Sequence, residues 1–249
     1  MVCVEFKQIL NMPGNLELHL SDNLIFLIEK SQDPDYFNTL ESFSTGLINN
    51  TDRDNLLSRV IDASIKLDLS ISTGILACTY IDKFLSIKPN TRKKIFDLVA
   101  IIGIGLAAKY KDGLFIGSEK IKEILNGKYL VDDIVITEQF IVSTIGWKLG
   151  GSTVCDVIES VLECTFENEM TGKLIKSCYL YAAVCYCDLE IALFGNYNLA
   201  ICSIIMALEK CGFVSIKDEW LCFIEKSCEV NTEKFDIIIG KIRKKLNSF

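Results

Sequence analysis

Apolar residues recur at three- and four-residue intervals along most of the chain. Leu56, Leu57, Val60, Ile61 and Ile65, with the small Ser64 among them, fall on one face of a helix. Ile75, Leu76, Thr79, Tyr80 and Phe84 fall on a second such face. Two later segments, 98–108 (LVAIIGIGLAA) and 199–208 (LAICSIIMAL), are apolar on every side. A helix without a polar face belongs in the middle of a bundle, and Gly, Ala and Ser on it let neighbouring helices approach closely. Each central segment has two amphipathic segments before it and two after. Around the first these are 52–67, 70–87, 118–126 and 131–147; around the second, 152–166, 170–192, 216–229 and 232–246. Strand-type alternation is almost missing. Asn126-Gly127 and Asp112-Gly113 sit at expected helix ends, where glycine can take the left-handed cap.

The pattern predicts an all-α chain built from two tandem five-helix bundles, residues 51–150 and 151–249. The join falls in the breaker cluster Gly150-Gly151-Ser152. Residues 1–50 form an N-terminal extension, in which the apolar stretch Leu24 to Ile28 predicts one more helix.

Composition narrows the function. Half of the 249 residues are hydrophobic and only 3 are proline, as in a folded globular protein. A net charge of −7 argues against binding along a phosphate backbone, which needs a surplus of Lys and Arg. The 11 cysteines contain no C-x-x-C pair, and the lone His19 cannot complete a Cys/His zinc site, so no metal is expected. Reduced cysteines packed as small core residues fit an intracellular protein. The longest apolar run, Leu98 to Ala108, is shorter than the roughly 20 residues of a membrane span. Glu5 breaks the basic-then-apolar order of a signal peptide, so a soluble chain is expected.

Catalytic constellations fail one by one. One histidine leaves no Ser-His-Asp or Cys-His pair, and no phosphate-binding glycine loop is present. Gly103-Ile104-Gly105 lies inside an apolar helix and reads as packing. Asp132-Asp133 opens a helix, where the dipole favours negative charge. Cys185 and Cys187, two apart on a helix, point to different faces. The basic runs Arg92-Lys93-Lys94 and Lys241 to Lys245 are short. The expectation is a binding module with no catalytic residues, cofactor, nucleic acid or membrane.

One segment says which kind of module. LACTYIDKFLSIKPNTRKKIFDLVAIIGIGLAAKYKD (76–112) resembles the cyclin box: Tyr80-Ile81-Asp82-Lys83-Phe84-Leu85-Ser86, a basic stretch, then an apolar helix ending Ala107-Ala108-Lys109-Tyr110. TEQFIVSTIGWKL (137–149) is similar to the fifth helix of that box, with Glu138 ahead of the closing Trp147-Lys148-Leu149. The stretch SCYLYAAVCYCDLEIALFGNYNLAICSIIMALEKCG is similar to the second fold of D-type cyclins, and LIFLIEKSQDPDYF (24–37) to their N-terminal docking helix. The likeness is greatest to D-type and viral cyclins.

The resemblance implies two tandem cyclin folds with an N-terminal helix. It also implies a non-catalytic regulatory subunit that binds and activates a cyclin-dependent serine/threonine kinase in cell-cycle control, in the nucleus, the cytoplasm or both. Lys109 and Glu138 match the charged pair that holds the kinase's mobile helix. Leu106, Tyr110, Val142 and Leu149 match apolar contacts of the same surface. Arg53 and Asp82 match an internal structural pair. The family's substrate-docking patch, which begins Met-Arg-Ala-Ile-Leu, reads Asp52, Arg53, Asp54, Asn55, Leu56 here, with Arg59 in place of a tryptophan. A groove for an Arg-x-Leu peptide loses two apolar walls by those changes. Met1-Val2-Cys3-Val4-Glu5 resembles the Leu-x-Cys-x-Glu peptide by which D-type cyclins engage pocket proteins. Two alternatives stay open: a transcription-type cyclin, and a DNA-binding transcription-factor core of the same double fold, against which the net charge weighs.

Overall fold

The computed structural model describes residues 40, 43, 48–228 and 233–247, and all regular elements among them are helical. The expected N-terminal helix, the pocket-protein motif at Met1–Glu5 and His19 lie outside these residues. The described residues divide into two compact units. One runs to Gly151 and includes Cys187–Leu189; the other comprises Ser152–Tyr186 and residues from Glu190 on.

In the first unit the helices are α1 (Asn50–Lys66), α2 (Ile71–Ile87), α3 (Phe96–Ala107), α4 (Ser118–Ile124) and α5 (Val131–Thr144). Local chemistry explains where they begin. Asn49 caps α1: its side chain accepts the Asp52 N–H at 2.9 Å, and the Asp52 carboxylate accepts the Asn49 N–H in return. Ser70 caps α2 by accepting the Thr73 N–H at 3.0 Å. Asp133 accepts the Leu130 N–H at the start of α5, the end at which its charge is favoured. Packing then fixes their order in space. α3 touches α1, α2 and α5, as its unbroken apolar surface requires. Gly103 is the point of closest approach, since a Cβ there would lie 2.9 Å from Ile81 Cγ1. Gly105 has no such neighbour; the nearest atom to its Cβ would be Ile121 Cδ1 at 3.9 Å.

The deepest polar feature of this unit joins α1 to α2. Arg53 donates from Nε and from a terminal nitrogen to the two oxygens of Asp82, at 3.0 and 2.8 Å, and both side chains are fully buried. Its other nitrogen reaches the Asp54 carboxylate at 2.9 Å. Burial opposes the guanidinium charge, but Asp82 and Asp54 outweigh it and raise the Arg53 pKa. Burial likewise lifts the Asp82 carboxyl above the ordinary carboxylate range, with the Arg53 charge pulling it back.

The second unit contains α6 (Val154–Thr165), α7 (Asn168–Tyr186), all but the first residue of the one-turn α8 (Leu189–Ala192), α9 (Asn196–Lys210), α10 (Val214–Cys228) and α11 (Glu233–Leu246). Here α9 is central, packed against α6, α7, α10 and α11. Thr153 and Asp156 form a capping box at the start of α6.

Two sequence expectations need correction. The helix expected over 170–192 is broken at Cys187 and Asp188. The N–H of Leu189 donates to Asp54 at 3.1 Å, whereas in an unbroken helix it would be committed to the carbonyl four residues back. The helix expected over 131–147 stops at Thr144, because Gly146 and Trp147 both adopt left-handed backbone angles (φ 64° and 61°). The nine cysteines described at side-chain level are free thiols, six of them buried. Cys187 is one of the six, and burial pushes its thiol up to about 12, far from the thiolate that a soft metal requires.

Candidate functional site

Of the residues expected to act together, Lys109 and Tyr110 follow α3 directly, and Glu138 and Val142 lie on α5, which packs against α3. α3 does not stop at Ala107 but widens into a π-helical turn over Ala108–Asp112. Such turns recur at functional sites because they redirect side chains without breaking the helix. Gly113, at φ 66°, closes the turn, and the Leu114 N–H donates to the Ala108 carbonyl at 3.1 Å. The Thr73 hydroxyl donates to Asp112 at 2.7 Å and anchors the turn to the start of α2. Ala108 stays buried while Lys109 and Tyr110 are thrown outward.

The surface of these elements carries several large apolar side chains. Tyr110 is 55% exposed, Phe115 74% and Trp147 73%, with Ile136 of α5 also open to solvent. Lys109 folds over one of these rings: its Nζ lies 5.6 Å from the centroid of Phe115. Glu138 is half-buried on α5, which packs against α3. Among the described residues neither Lys109 nor Glu138 forms an ion pair, so they do not neutralise each other. Leu149 is half-buried, and its carbonyl accepts the Tyr80 hydroxyl at 2.6 Å. Burial, with Tyr110 adding, keeps that phenol above its ordinary pKa and therefore a donor.

Two of the expected contact residues are not on this surface. Leu106 and Val142 each keep only 5% of their area accessible, and they serve as core beneath it. The reason is that α3 is apolar on every face, so Leu106 meets protein wherever it points. Sequence reading passed over Phe115, Ile136 and Trp147. Phe115 lies in a loop with no periodicity to mark it. Trp147 falls at the end of the helix expected over 131–147, but Gly146 turns the chain out of that helix before it.

The substrate-docking positions are reorganised. Arg53 and Leu56 are fully buried and offer no surface, because α1 turns both toward the core. Arg59 is exposed, and the Asp52 carboxylate is engaged by Lys93 at 2.6 Å. What remains outside on this stretch of α1 is polar or charged: Asp52, Asp54, Asn55, Ser58 and Arg59.

The family described as "Cyclin, N-terminal domain" matches residues 23–150, just over half of the chain. The chain belongs to the cyclin family. Among curated relatives, it is 31% identical over 102 residues to Cyclin-B1-1 of Arabidopsis thaliana, covering 41% of this chain and 24% of that protein. It is 30% identical over 116 residues to G1/S-specific cyclin-D1 of Xenopus laevis, covering 46% and 40%. With G1/S-specific cyclin-D2 of Mus musculus the match runs over 170 residues at 24% identity, covering 68% and 54%. The matched stretches thus span from a quarter to about half of these relatives' length. Among solved structures, a viral cyclin from herpesvirus saimiri superposes with a TM-score of 0.69 at 13% identity, covering 78% of this chain and 84% of that one. That likeness shows the cyclin fold beyond the matched N-terminal domain. No helix among the described residues is long and apolar enough to cross a membrane.

Proposed function

We propose that the chain is a non-catalytic regulatory subunit that binds and activates a cyclin-dependent serine/threonine kinase in cell-cycle control, acting in the nucleus, the cytoplasm or both. The subunit presses the kinase's mobile helix inward, so that the kinase's own Lys–Glu ion pair forms and its activation loop moves aside. One observation carries this reading. The π-helical turn and the loop after it expose Tyr110, Phe115 and Lys109, the turn after α5 exposes Trp147, and neither Lys109 nor Glu138 is in an ion pair among the described residues. Aromatic side chains around charges desolvated only on binding have the composition of an interface hot spot. In the complex the Lys109 ammonium and the Glu138 carboxylate bond to backbone groups of the kinase helix. Leu106 and Val142 support this face from beneath, and Leu149 and Tyr110 extend it. Pocket-protein binding through Met1–Glu5 is a separate proposal resting on the motif alone.

The experiment is a kinase titration with Lys109→Ala and Glu138→Ala. Truncating one member of a buried charge network costs about 2–5 kcal/mol, roughly 30- to 4,000-fold in affinity. Binding and activation of the kinase should collapse by that factor while melting temperature barely moves. Undiminished activation by both variants refutes the assignment. A large loss of melting temperature refutes it too, since that places the residues in the fold.

A further inference from the structure

We propose that the groove formed by the C-terminal end of α2, the α2–α3 loop and α5 is a docking site for acidic peptide segments that carry an apolar anchor. The groove encloses about 400 Å³, and its lining includes Phe84, Ile87, Lys88, Ile95, Val99 and Phe140. That volume accepts one or two large side chains. Its apolar walls are open to solvent: Ile87 is 54% exposed and Phe140 48%. Phe84 braces Phe140 edge-on, with ring centroids 5.8 Å apart. Lys88 places its ammonium 5.4 Å from the Phe140 ring centroid, so a cation and an aromatic wall meet at one point.

The loop that forms one wall is held in place before any ligand arrives. Pro89 occupies the second position of a turn that the Thr91 N–H closes on the Lys88 carbonyl at 3.0 Å. The Thr91 hydroxyl reaches the same carbonyl at 2.7 Å. Farther along, the Lys94 carbonyl accepts from Lys128 at 3.3 Å and from the Tyr129 hydroxyl at 3.2 Å. A site ordered in advance spares the ligand the entropy of ordering it.

Charge selects the ligand. From residue 83 to residue 96 the chain carries Lys83, Lys88, Arg92, Lys93 and Lys94 without one Asp or Glu, in a protein of net charge −7. Lys93 is engaged by Asp52. Among the described residues Lys88, Arg92 and Lys94 form no ion pair. The carboxylates at the two ends of this stretch are already committed, Asp82 to Arg53 and Asp97 to Lys128 and Tyr129. Lys88 lines the groove, and Arg92 and Lys94 flank its lining residues Thr91 and Ile95 along the chain; an apolar groove so placed fits a peptide that combines a large apolar side chain with neighbouring carboxylates. Its apolar walls favour such a peptide over a polynucleotide, which needs a broad basic surface.

This inference does not rest on the kinase reading, because its test uses the full chain alone. A random twelve-residue peptide phage library is panned on the chain and counter-selected against the Ile87→Glu, Lys88→Glu double variant. Enriched peptides should pair Asp or Glu with Phe, Leu, Ile or Trp. By fluorescence anisotropy, a synthetic consensus peptide should bind the double variant about tenfold more weakly or worse. It should also bind the native chain about threefold more weakly at 300 mM than at 50 mM salt. Amide shift mapping on the native chain should confine changes to 84–99 and 137–140, which keeps the test decisive if the double variant fails to fold. A basic or uncharged consensus, the absence of any enrichment, or shifts elsewhere would overturn the proposal. So would a twelve-residue oligothymidine that binds the groove as tightly as the peptide.

Discussion

Removing Asp82 tests the reading of the α1–α2 core most severely. In Asp82→Ala the Arg53 guanidinium stays in a fully buried position and loses the two-oxygen partner it contacts at 3.0 and 2.8 Å. The half-buried Asp54, at 2.9 Å, remains but satisfies only one nitrogen. Breaking a buried pair from one side typically costs about 3–5 kcal/mol, because the surviving charge is left in a medium that solvates it poorly. For a chain of this size that corresponds to a fall in melting temperature on the order of 10 °C. Replacing both members by apolar residues, Arg53→Met with Asp82→Leu, removes the uncompensated charge along with the attraction. The double variant should therefore lose far less than Asp82→Ala, and about as little as 1 kcal/mol if the new side chains pack well. Urea unfolding of the native chain, both single variants and the double variant closes the thermodynamic cycle. The reasoning fails if Asp82→Ala costs under about 1 kcal/mol, or if the double variant loses the sum of the two single losses.

Gly103→Ala should cost about 1–3 kcal/mol in urea unfolding, because its Cβ meets Ile81 at 2.9 and 3.0 Å, and Ile81→Val should return part of that loss. Gly105→Ala, with its nearest neighbour at 3.9 Å, should be neutral or stabilising by up to about 1 kcal/mol; equal losses at both positions would refute the close-approach argument. Burial alone would raise the Glu209 pKa, but hydrogen bonds from Lys217 (3.1 Å) and Arg243 (2.6 Å) lower it below the ordinary carboxylate value. A depressed folded-state pKa adds stability that is present above the unfolded value, about 4.3, and is lost as pH falls through the folded one. Glu209→Gln should therefore flatten the acid limb of melting temperature against pH, and an unchanged limb would show that the two cations contribute nothing there.

Much of the helical framework could be read from the chain because its causes are local. The apolar period and the caps at Asn49, Ser70 and Thr153 act within a few residues, so helix starts fall close to expectation. The two segments without a polar face could only be central, and α3 and α9 are. Helix ends were less legible. Nothing within 131–147 showed that Gly146 and Trp147 turn left-handed, and nothing within 170–192 showed that Leu189 donates its N–H to Asp54.

By itself, then, the sequence determined the all-α class, the two central helices and the cyclin resemblance, with Lys109 and Glu138 singled out by that resemblance. The tertiary structure decided which of the apolar residues near them face solvent. Leu106 and Val142 went inside while Phe115 and Trp147 came out, because exposure depends on what neighbouring helices cover. It also decided that Lys109 rests on Phe115, and that a basic loop and Phe140 share one groove. The groove joins residues whose only connection is the packing of α2, α3 and α5, the Lys109 contact depends on the π-helical turn, and no period along the chain encodes either.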